Sequence, residues 1–475
     1  MTTRSATVVL VTGLLALSAS AQDKAPPKVP THVGDATLHH EPAREVGACQ
    51  WSLWMALDPV IRSFDDVRPH LEELQRHFEK QPVRIGVVLP DAAAKALAAT
   101  APRFTVVGTE GSIAVPALAT AAITDATGSF VTEVSLDYAE DVLAALLDGK
   151  AVDTIMGSIA LAESQLATVG DAEAHPPTIT ELLAALPHSG RVRALAVLEP
   201  LWCRGEHAPA LEALDKGLRD LAGHTYATAQ FVDLVGRGDD SDPTVRQRLA
   251  VEMAPVAAAA GDDPFVQLVF LRSLLRANRT RLAERVTKRL DAQLQKRGDI
   301  WLRLQFAEVL MDAKDPRPLR ALAQAHLDAI ADSALDLEAM AMVRHKLLRR
   351  CGDEAGAAAL LKQFLPDETA SGLNNHAWYA CVRLDTMGRF PDWANDLADR
   401  MLGSDRERLE SNYRDTVALA FFCAGRVEAA AEQQTIAIGE HKDDPRYAGR
   451  LRRYEDAFAR LRRVPPPAPP TPSPK

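Results

Sequence analysis

The sequence predicts an α/β domain followed by an all-α array of helical repeats. From residue 32 to residue 153, short apolar or alternating runs are separated by helical patterns, which is the order of a sheet with crossover helices. From residue 191 to residue 463, strand patterns give way to alanine-rich helical segments that recur at intervals of roughly 33 to 39 residues. A chain of 475 residues is long enough to give each part its own core.

Residues 1–21 have the layout of a secretory signal. Arg4 precedes an apolar run at residues 8–17, and Ala21 ends a small-residue triplet typical of a cleavage site. The run is too short to cross a bilayer, and no cysteine follows it directly to carry a lipid. We therefore expect an exported protein, periplasmic or secreted, with no transmembrane segment and with a linker at residues 22–31.

Composition and motifs argue against several classes of function. The chain has 54 basic and 64 acidic residues, a formal charge of -10 and no basic stripe, so nucleic acid is not an expected partner. No phosphate-binding loop, nucleophile elbow or zinc-protease motif occurs. The cysteines form no C-x-x-C pair, so the sequence predicts neither a dithiol nor a zinc cluster. They are Cys49, Cys203, Cys351, Cys381 and Cys423.

One short stretch, His39-His40-Glu41, contains side chains that could bind a metal. Adjacent residues of an extended segment point to opposite faces, so joint ligation is unfavourable there. The sequence therefore predicts no metal site and no cofactor.

The first domain, residues 32–153, is expected to begin with a strand and a kinked helix. Cys49, Trp51 and Leu53 lie on one side of the predicted strand. The helix that follows can be capped by Ser63, has apolar residues at helical spacing, and contains Pro69, which is expected to kink it.

Two more strands, a hairpin and a helix complete the domain. The stretches "VRIGVVLP" and "FTVV" indicate strands joined by the helix "DAAAKALAAT", so the first three strands are expected to be parallel. Two alternating runs in "ALATAAITDATGSFVTEV" are joined by a turn in which Gly128 provides the positive φ that a hairpin needs. The last helix, "YAEDVLAALLDG", is expected to end at Gly149.

These elements resemble the thioredoxin fold and, within it, the exported TlpA-like proteins. The resemblance depends on "VGDATL", "RPHLEELQRHF" and "GSIAVPALATAAITDATGSFV", and it covers residues 32–150. It implies that the family's redox dithiol would fall at Ile61 and Phe64, where this chain has only hydrocarbon side chains. It also implies a groove for an extended peptide backbone beside a cis-proline, with Val115 preceding Pro116. The resemblance therefore implies a redox-inactive domain with a degenerate active site.

An alternative is that Cys49 acts as a single reactive thiol. It begins the strand before the kinked helix, so roughly 25–30 Å of strand separates it from the helix start, where a thiolate would be stabilised. The T-x-x-C motif of peroxide-reducing relatives does not occur there. A thiol-disulfide oxidoreductase or peroxide reductase that uses Cys49 stays open as the rival to a non-catalytic protein.

The second domain, residues 191–463, is predicted to consist of helical pairs. The last two units resemble tetratricopeptide repeats, with Gly388 and Gly425 at their turns and Cys381 in a small packing position. The resemblance implies a solenoid with a concave surface along its first helices. The pairs are predicted to start near Val192, Thr225, Pro264, Asp299, Leu337, Leu373 and Glu410.

The segments on either side of this domain have turn-forming compositions. Residues 154–190 are predicted to be a linker with one short helix, and the Pro-rich residues 464–475 a disordered tail.

The leading hypothesis is an exported, non-catalytic adaptor that binds a protein or an extended peptide. The rival is the single-cysteine oxidoreductase, and a third version makes the first domain a structural cap for repeats that do all the binding. Fold analogy alone does not identify the partner, and the oligomeric state stays open.

Overall fold

The computed structural model describes fourteen stretches of the chain. They are residues 37–42, 49–56, 68–109, 120–167, 176–201, 206–238, 243–297, 300–331, 337–366, 369–382, 386, 388–405, 409–441 and 444–463. The predicted signal segment, the Pro-rich tail, Ile61, Phe64, Val115 and Pro116 lie outside these residues.

The N-terminal region forms one six-stranded mixed sheet. Its strands are β1 (Thr37–His40), β2 (Trp51–Ala56), β3 (Val83–Pro90), β4 (Thr105–Thr109), β5 (Thr120–Asp125) and β6 (Phe130–Ser135). Their spatial order is β1-β4-β3-β2-β5-β6. The strands β2, β3 and β4 are parallel, as predicted. The other pairs are antiparallel: β1 pairs with β4, β5 with β2, and β6 with β5.

Three helices accompany the sheet: α1 (Arg68–His77), α2 (Asp91–Ala98) and α3 (Leu136–Leu147). Apolar residues of all three helices join one core with the strand residues Leu53, Ile85 and Ile123. Trp54 and Val88 belong to a separate small cluster, because alternate residues of a strand face opposite sides. The described part of α1 begins at Arg68, so the kink predicted at Pro69 falls at its boundary.

Local hydrogen bonds explain the predicted hairpin. Asp125 Oδ1 accepts the backbone N–H groups of Thr127 and Ser129, and Gly128 has a φ of 81°. The hydroxyl of Ser135 then caps α3 by accepting the N–H of Asp137. The turn and the helix start are therefore encoded within a few residues of each other.

The strand β1 was not predicted, because four residues with two histidines carry no strand period of their own. It is held at the sheet edge by its antiparallel pairing with β4. His39 Nε2 lies 2.6 Å from Asp91 Oδ1, His40 Nε2 lies 2.7 Å from the Pro102 carbonyl, and Glu41 pairs with an arginine of β3. The three side chains thus have separate partners and do not converge.

The predicted linker at residues 154–190 contains two helices, not one short helix. They are α4 (Val152–Ala167) and α5 (Pro176–Ala185). The buried residues of α4 recur with helical period in the sequence, although turn-forming residues follow the helix. They are Ile155, Ile159, Ala162 and Leu166. The helix α4 contacts α3, so helical structure continues directly from the sheet region.

The rest of the described chain is a succession of helical pairs closed by one last helix. The elements are α6 (Gly190–Glu199), α7 (His207–Asp220), α8 (Thr225–Gly238), α9 (Pro243–Ala259), α10 (Pro264–Arg276), α11 (Thr280–Arg297), α12 (Ile300–Leu310), α13 (Arg320–Asp328), α14 (Leu337–Arg350), α15 (Glu354–Phe364), α16 (Ala370–Val382), α17 (Pro391–Asp405), α18 (Ser411–Cys423), α19 (Val427–Glu440) and α20 (Pro445–Arg463). The even-numbered helices from α6 to α18 begin at or within a few residues of the predicted starts.

These pairs stack on one another. Each first helix contacts the next first helix from α6 through α14, and again from α16 to α18. One core cluster runs from the sheet to Tyr454 in α20, and it includes Cys381, which is buried as expected of a packing residue. Arg450 of α20 is buried, and its Nη2 lies 2.7 Å from Asp415 Oδ2.

Candidate functional site

Titratable side chains from both regions meet where the helical pairs pack on the sheet region. The interface cluster consists of His77 at the end of α1, Glu140 and Asp141 in α3, His188 in the turn before α6, and His224 directly before α8. The helices α1 and α3 therefore contact the helical region through polar groups.

Glu140 lies at the centre of the cluster. Its Oε1 lies 3.0 Å from Nδ1 of His77, and its Oε2 lies 3.1 Å from Nδ1 of His224. The two imidazole rings are 4.7 Å apart between centroids and tilted by 60°. The three side chains are only 25, 19 and 17% exposed for His77, Glu140 and His224, so their charges are partly shielded from water.

The histidines keep this carboxylate ionised. Burial alone would raise the pKa of Glu140, but hydrogen bonds and charge from His224 and His77 lower it to about 2. The contact with Glu140 in turn raises the pKa of His77, and this effect exceeds the lowering by burial. The pair Glu140–His77 therefore favours its charged form near neutral pH.

The other two members of the cluster have different environments. The backbone N–H of His188 donates to Asp141 Oδ1 at 2.9 Å, yet burial raises the pKa of Asp141 to about 7. Burial lowers the pKa of His188. The His188 ring stacks on His224 at 4.7 Å, and its Nδ1 is buried without a hydrogen-bond partner in the described part of the chain.

A cavity of about 30 Å³ adjoins the cluster. Glu140 and His188 line it together with Glu73 and Tyr226, whose backbone N–H points to the Glu73 carboxylate. Burial raises the pKa of Glu73. The space suffices for about one ordered water but not for an organic substrate.

This arrangement can exchange protons or hold a cation. Shifted pKa values in one cleft are typical of functional sites, although structural ion pairs also produce them. No serine, threonine or cysteine lines the cavity, so the described site offers no hydroxyl or thiol nucleophile of those residue types.

A second polar feature lies inside the helical region. Charged residues from the first helices α8, α10, α12 and α14, together with one from the turn after α12 and one from the turn after α16, form the buried charge cluster. Its members are Asp233, Arg237, Arg272, Arg276, Glu308, Asp312, Lys346 and Arg389. Its centre is Glu308, which is 0% exposed. Burial would raise the pKa of Glu308, but Arg389, Arg272 and Lys346 hold it well below its ordinary value.

The turn between α16 and α17 closes this cluster. Arg389 Nη2 lies 2.6 Å from Glu308 Oε2, and Arg276 Nη2 donates to the Gly388 carbonyl at 2.9 Å. Gly388 has a φ of 67°, and a Cβ there would lie 1.9 Å from the carbonyl oxygen of Arg237. The faces of the first helices that meet between α8 and α14 are therefore occupied by the chain's own charged groups.

An open groove lies on another side of the repeats. A space of about 490 Å³ separates α14, α15 and α17, with Ala358 and Leu361 among its lining residues. Charged residues of both signs surround this apolar part: Arg349, Glu354, Lys362, Asp396, Asp399 and Arg400.

Of the sequence-predicted site residues, the structure describes only Cys49. It precedes β2, next to Gln50, whose N–H donates to the Pro82 carbonyl just before β3. Cys49 is thus at the end of the sheet where the parallel strands begin, while α1 follows the opposite end of β2. The degenerate redox positions and the predicted peptide groove lie outside the described residues.

Sequence reasoning missed both polar clusters. Apart from the neighbours Glu140 and Asp141, the members of the interface cluster are separated by long stretches of chain and form no local motif. The buried charge cluster did leave a signal, because the charged pairs 233/237, 272/276 and 308/312 recur at matching positions of successive repeats. Aligning the repeats by their first helices would have revealed it.

No described helix is long and apolar enough to cross a membrane. No protein-family model matches the chain. A search of the curated proteins also found no match.

Proposed function

We propose that this protein is an exported, non-catalytic scaffold that binds a partner protein through an extended peptide segment. Its first region is proposed to be a redox-inactive thioredoxin-like domain of the TlpA-like kind, and its second a tetratricopeptide-like solenoid.

The sheet topology supports the first part of this proposal. Parallel β2, β3 and β4 are followed by an antiparallel hairpin on the other side of β2 and then by α3. This order agrees with the resemblance drawn from the sequence. Cys49 lies at the end of the sheet opposite the start of the helix that would activate a thiol, which favours a domain without redox chemistry.

The helical pairs support the second part. They share one continuous core, so the array can present a surface with a fixed shape. The observation that carries the proposal is the groove of about 490 Å³ between α14, α15 and α17, which combines apolar lining with charges of both signs. Ligand sites commonly have this combination of an apolar surface and a few charged groups that fix orientation.

The charges in the groove indicate what the peptide should contain. Lys362 is exposed and makes no ion pair within the described chain, whereas Arg400 already donates to the carbonyls of Leu365 and Pro366. An acidic side chain of the peptide would pair with Lys362, and apolar side chains would contact Leu361.

Selection of phage-displayed random peptides on the untagged full chain tests this proposal. Selected peptides, remade synthetically, should bind at least tenfold more weakly to Lys362→Glu, because the free cation becomes an anion. The matched control is Lys288→Glu, which reverses an exposed lysine on α11 outside the groove. It should bind the peptides as the unaltered chain does. Equal affinity for both variants would contradict the groove as the binding site.

Two further outcomes would redirect the proposal. A Pro116→Ala variant that loses the peptides while Lys362→Glu keeps them would place binding on the first domain. Reduction of insulin by the purified chain at a rate comparable with thioredoxin, abolished by Cys49→Ser, would replace the scaffold with the oxidoreductase.

A further inference from the structure

We propose that His77, Glu140 and His224 form a binding site for a divalent transition-metal cation of the zinc class, at the interface of the sheet region and the helical region. This inference is independent of the proposed scaffold function.

The first support is the position of the donor atoms. One ligand atom from each of the three side chains lies within 4.8 Å of the other two. In a tetrahedral site with bonds of about 2.0–2.2 Å, donor atoms are about 3.3–3.6 Å apart. The remaining difference of about 1 Å is within the reach of small side-chain rotations, so the backbone need not move.

The second support is the chemistry of the donors. Two imidazoles and one carboxylate favour zinc and its neighbours in the first transition series, whereas magnesium and calcium prefer sets of oxygen atoms. A set of two histidines and one glutamate is one of the known three-residue zinc sets. The Glu140 carboxylate also contributes the negative charge that a divalent ion needs in a partly buried place.

The third support is the set of groups beside the three donors. Nδ1 of His77 lies 3.0 Å from the Glu140 carboxylate, the group that would share the ion with it. His188 stacks on His224 and has a buried Nδ1 that lacks a partner in the described chain. The fourth coordination position can be filled by His188 after a ring rotation, or by one water in the cavity of about 30 Å³.

The location indicates the role of the ion. The three ligands come from α1, α3 and the residue before α8, so one cation would join the two regions by bonds stronger than the present contacts. An ion that binds the docked arrangement and not the separated one stabilises docking by mass action. We infer that metal occupancy fixes the orientation of the sheet region on the repeats.

Calorimetric titration of zinc chloride into the untagged, chelator-treated full chain tests this site. We expect one zinc per chain, with an affinity that falls on the order of 100-fold in His224→Gln and in Glu140→Gln, since both remove a direct ligand. Glutamine in place of His224 can still donate a hydrogen bond to Glu140, and circular dichroism and gel filtration show whether each variant remains folded. Cobalt(II) should give the visible absorption of a tetrahedral site in the unaltered chain, and both variants should lose it.

The matched control is His376→Gln. His376 Nδ1 lies 3.0 Å from Glu338 Oε1 in a partly buried pair that, among the described residues, belongs to no group of three potential metal ligands. This variant should bind zinc as the unaltered chain does. The proposal is overturned if the chain binds no zinc at one equivalent, or if folded His224→Gln and Glu140→Gln bind as tightly as the control, because the cluster would then be only a salt-bridge network.

Discussion

Replacing Glu308 by glutamine should destabilise the helical region more than any exposed charge change. The side chain is 0% exposed and lies 2.6 Å from Arg389, 3.1 Å from Arg272 and 3.2 Å from Lys346. Glutamine keeps the size but removes the charge, which leaves buried cations without their central anion. Breaking a buried ion pair from one side costs about 3–5 kcal/mol. At about 2–4 °C per kcal/mol, the unfolding midpoint should fall by roughly 6–20 °C.

Thermal unfolding followed by circular dichroism measures this effect, because most of the helical signal comes from the repeats. The matched control is Glu354→Gln, which removes an acidic side chain that is 79% exposed and 3.6 Å from Arg349. Exposed pairs contribute about 0–1 kcal/mol, so this control should barely change the midpoint. The unfolding midpoint of Arg389→Gln should lie between those of the other two variants, because Glu308 keeps its contacts with Arg272 and Lys346. Equal midpoints for Glu308→Gln and Glu354→Gln would refute the reasoning.

Two further predictions concern the helical region. Burial would raise the pKa of Glu308 and Asp312, but nearby cations lower the pKa of both. Carboxyls whose pKa is depressed in the folded state stabilise the fold above their unfolded pKa of about 4, and this stabilisation is lost as the pH falls. The midpoint of thermal unfolding should therefore fall as the pH drops below about 4, and it should fall less in Glu308→Gln. Gly425 has a φ of 79° and open space around it, so Gly425→Ala should lower the free energy of unfolding in urea by about 1–2 kcal/mol. Gly388→Ala should lower it more, because the added Cβ meets the Arg237 carbonyl. Equal losses in the two variants would contradict that close approach.

The sequence was sufficient where structure is encoded over a few residues. The hairpin around Gly128, the parallel β2, β3 and β4, and the starts of the helical pairs were all predicted from period and turn chemistry. Two elements were missed, each for its own reason. The strand β1 depends on pairing with β4, which is far along the chain, and α4 was overlooked because the turn-forming residues after it dominated the prediction.

The polar sites were decided by tertiary structure. His224 meets Glu140 across 84 positions, and Arg389 meets Glu308 across 81. Side-chain period specifies which face of a helix is buried, but not which distant residue will face it. That depends on how the helical pairs stack on one another and on how the first pairs dock on α1 and α3. The sequence by itself determined the elements and their order, while only the packing of those elements determined which charges and imidazoles share one site.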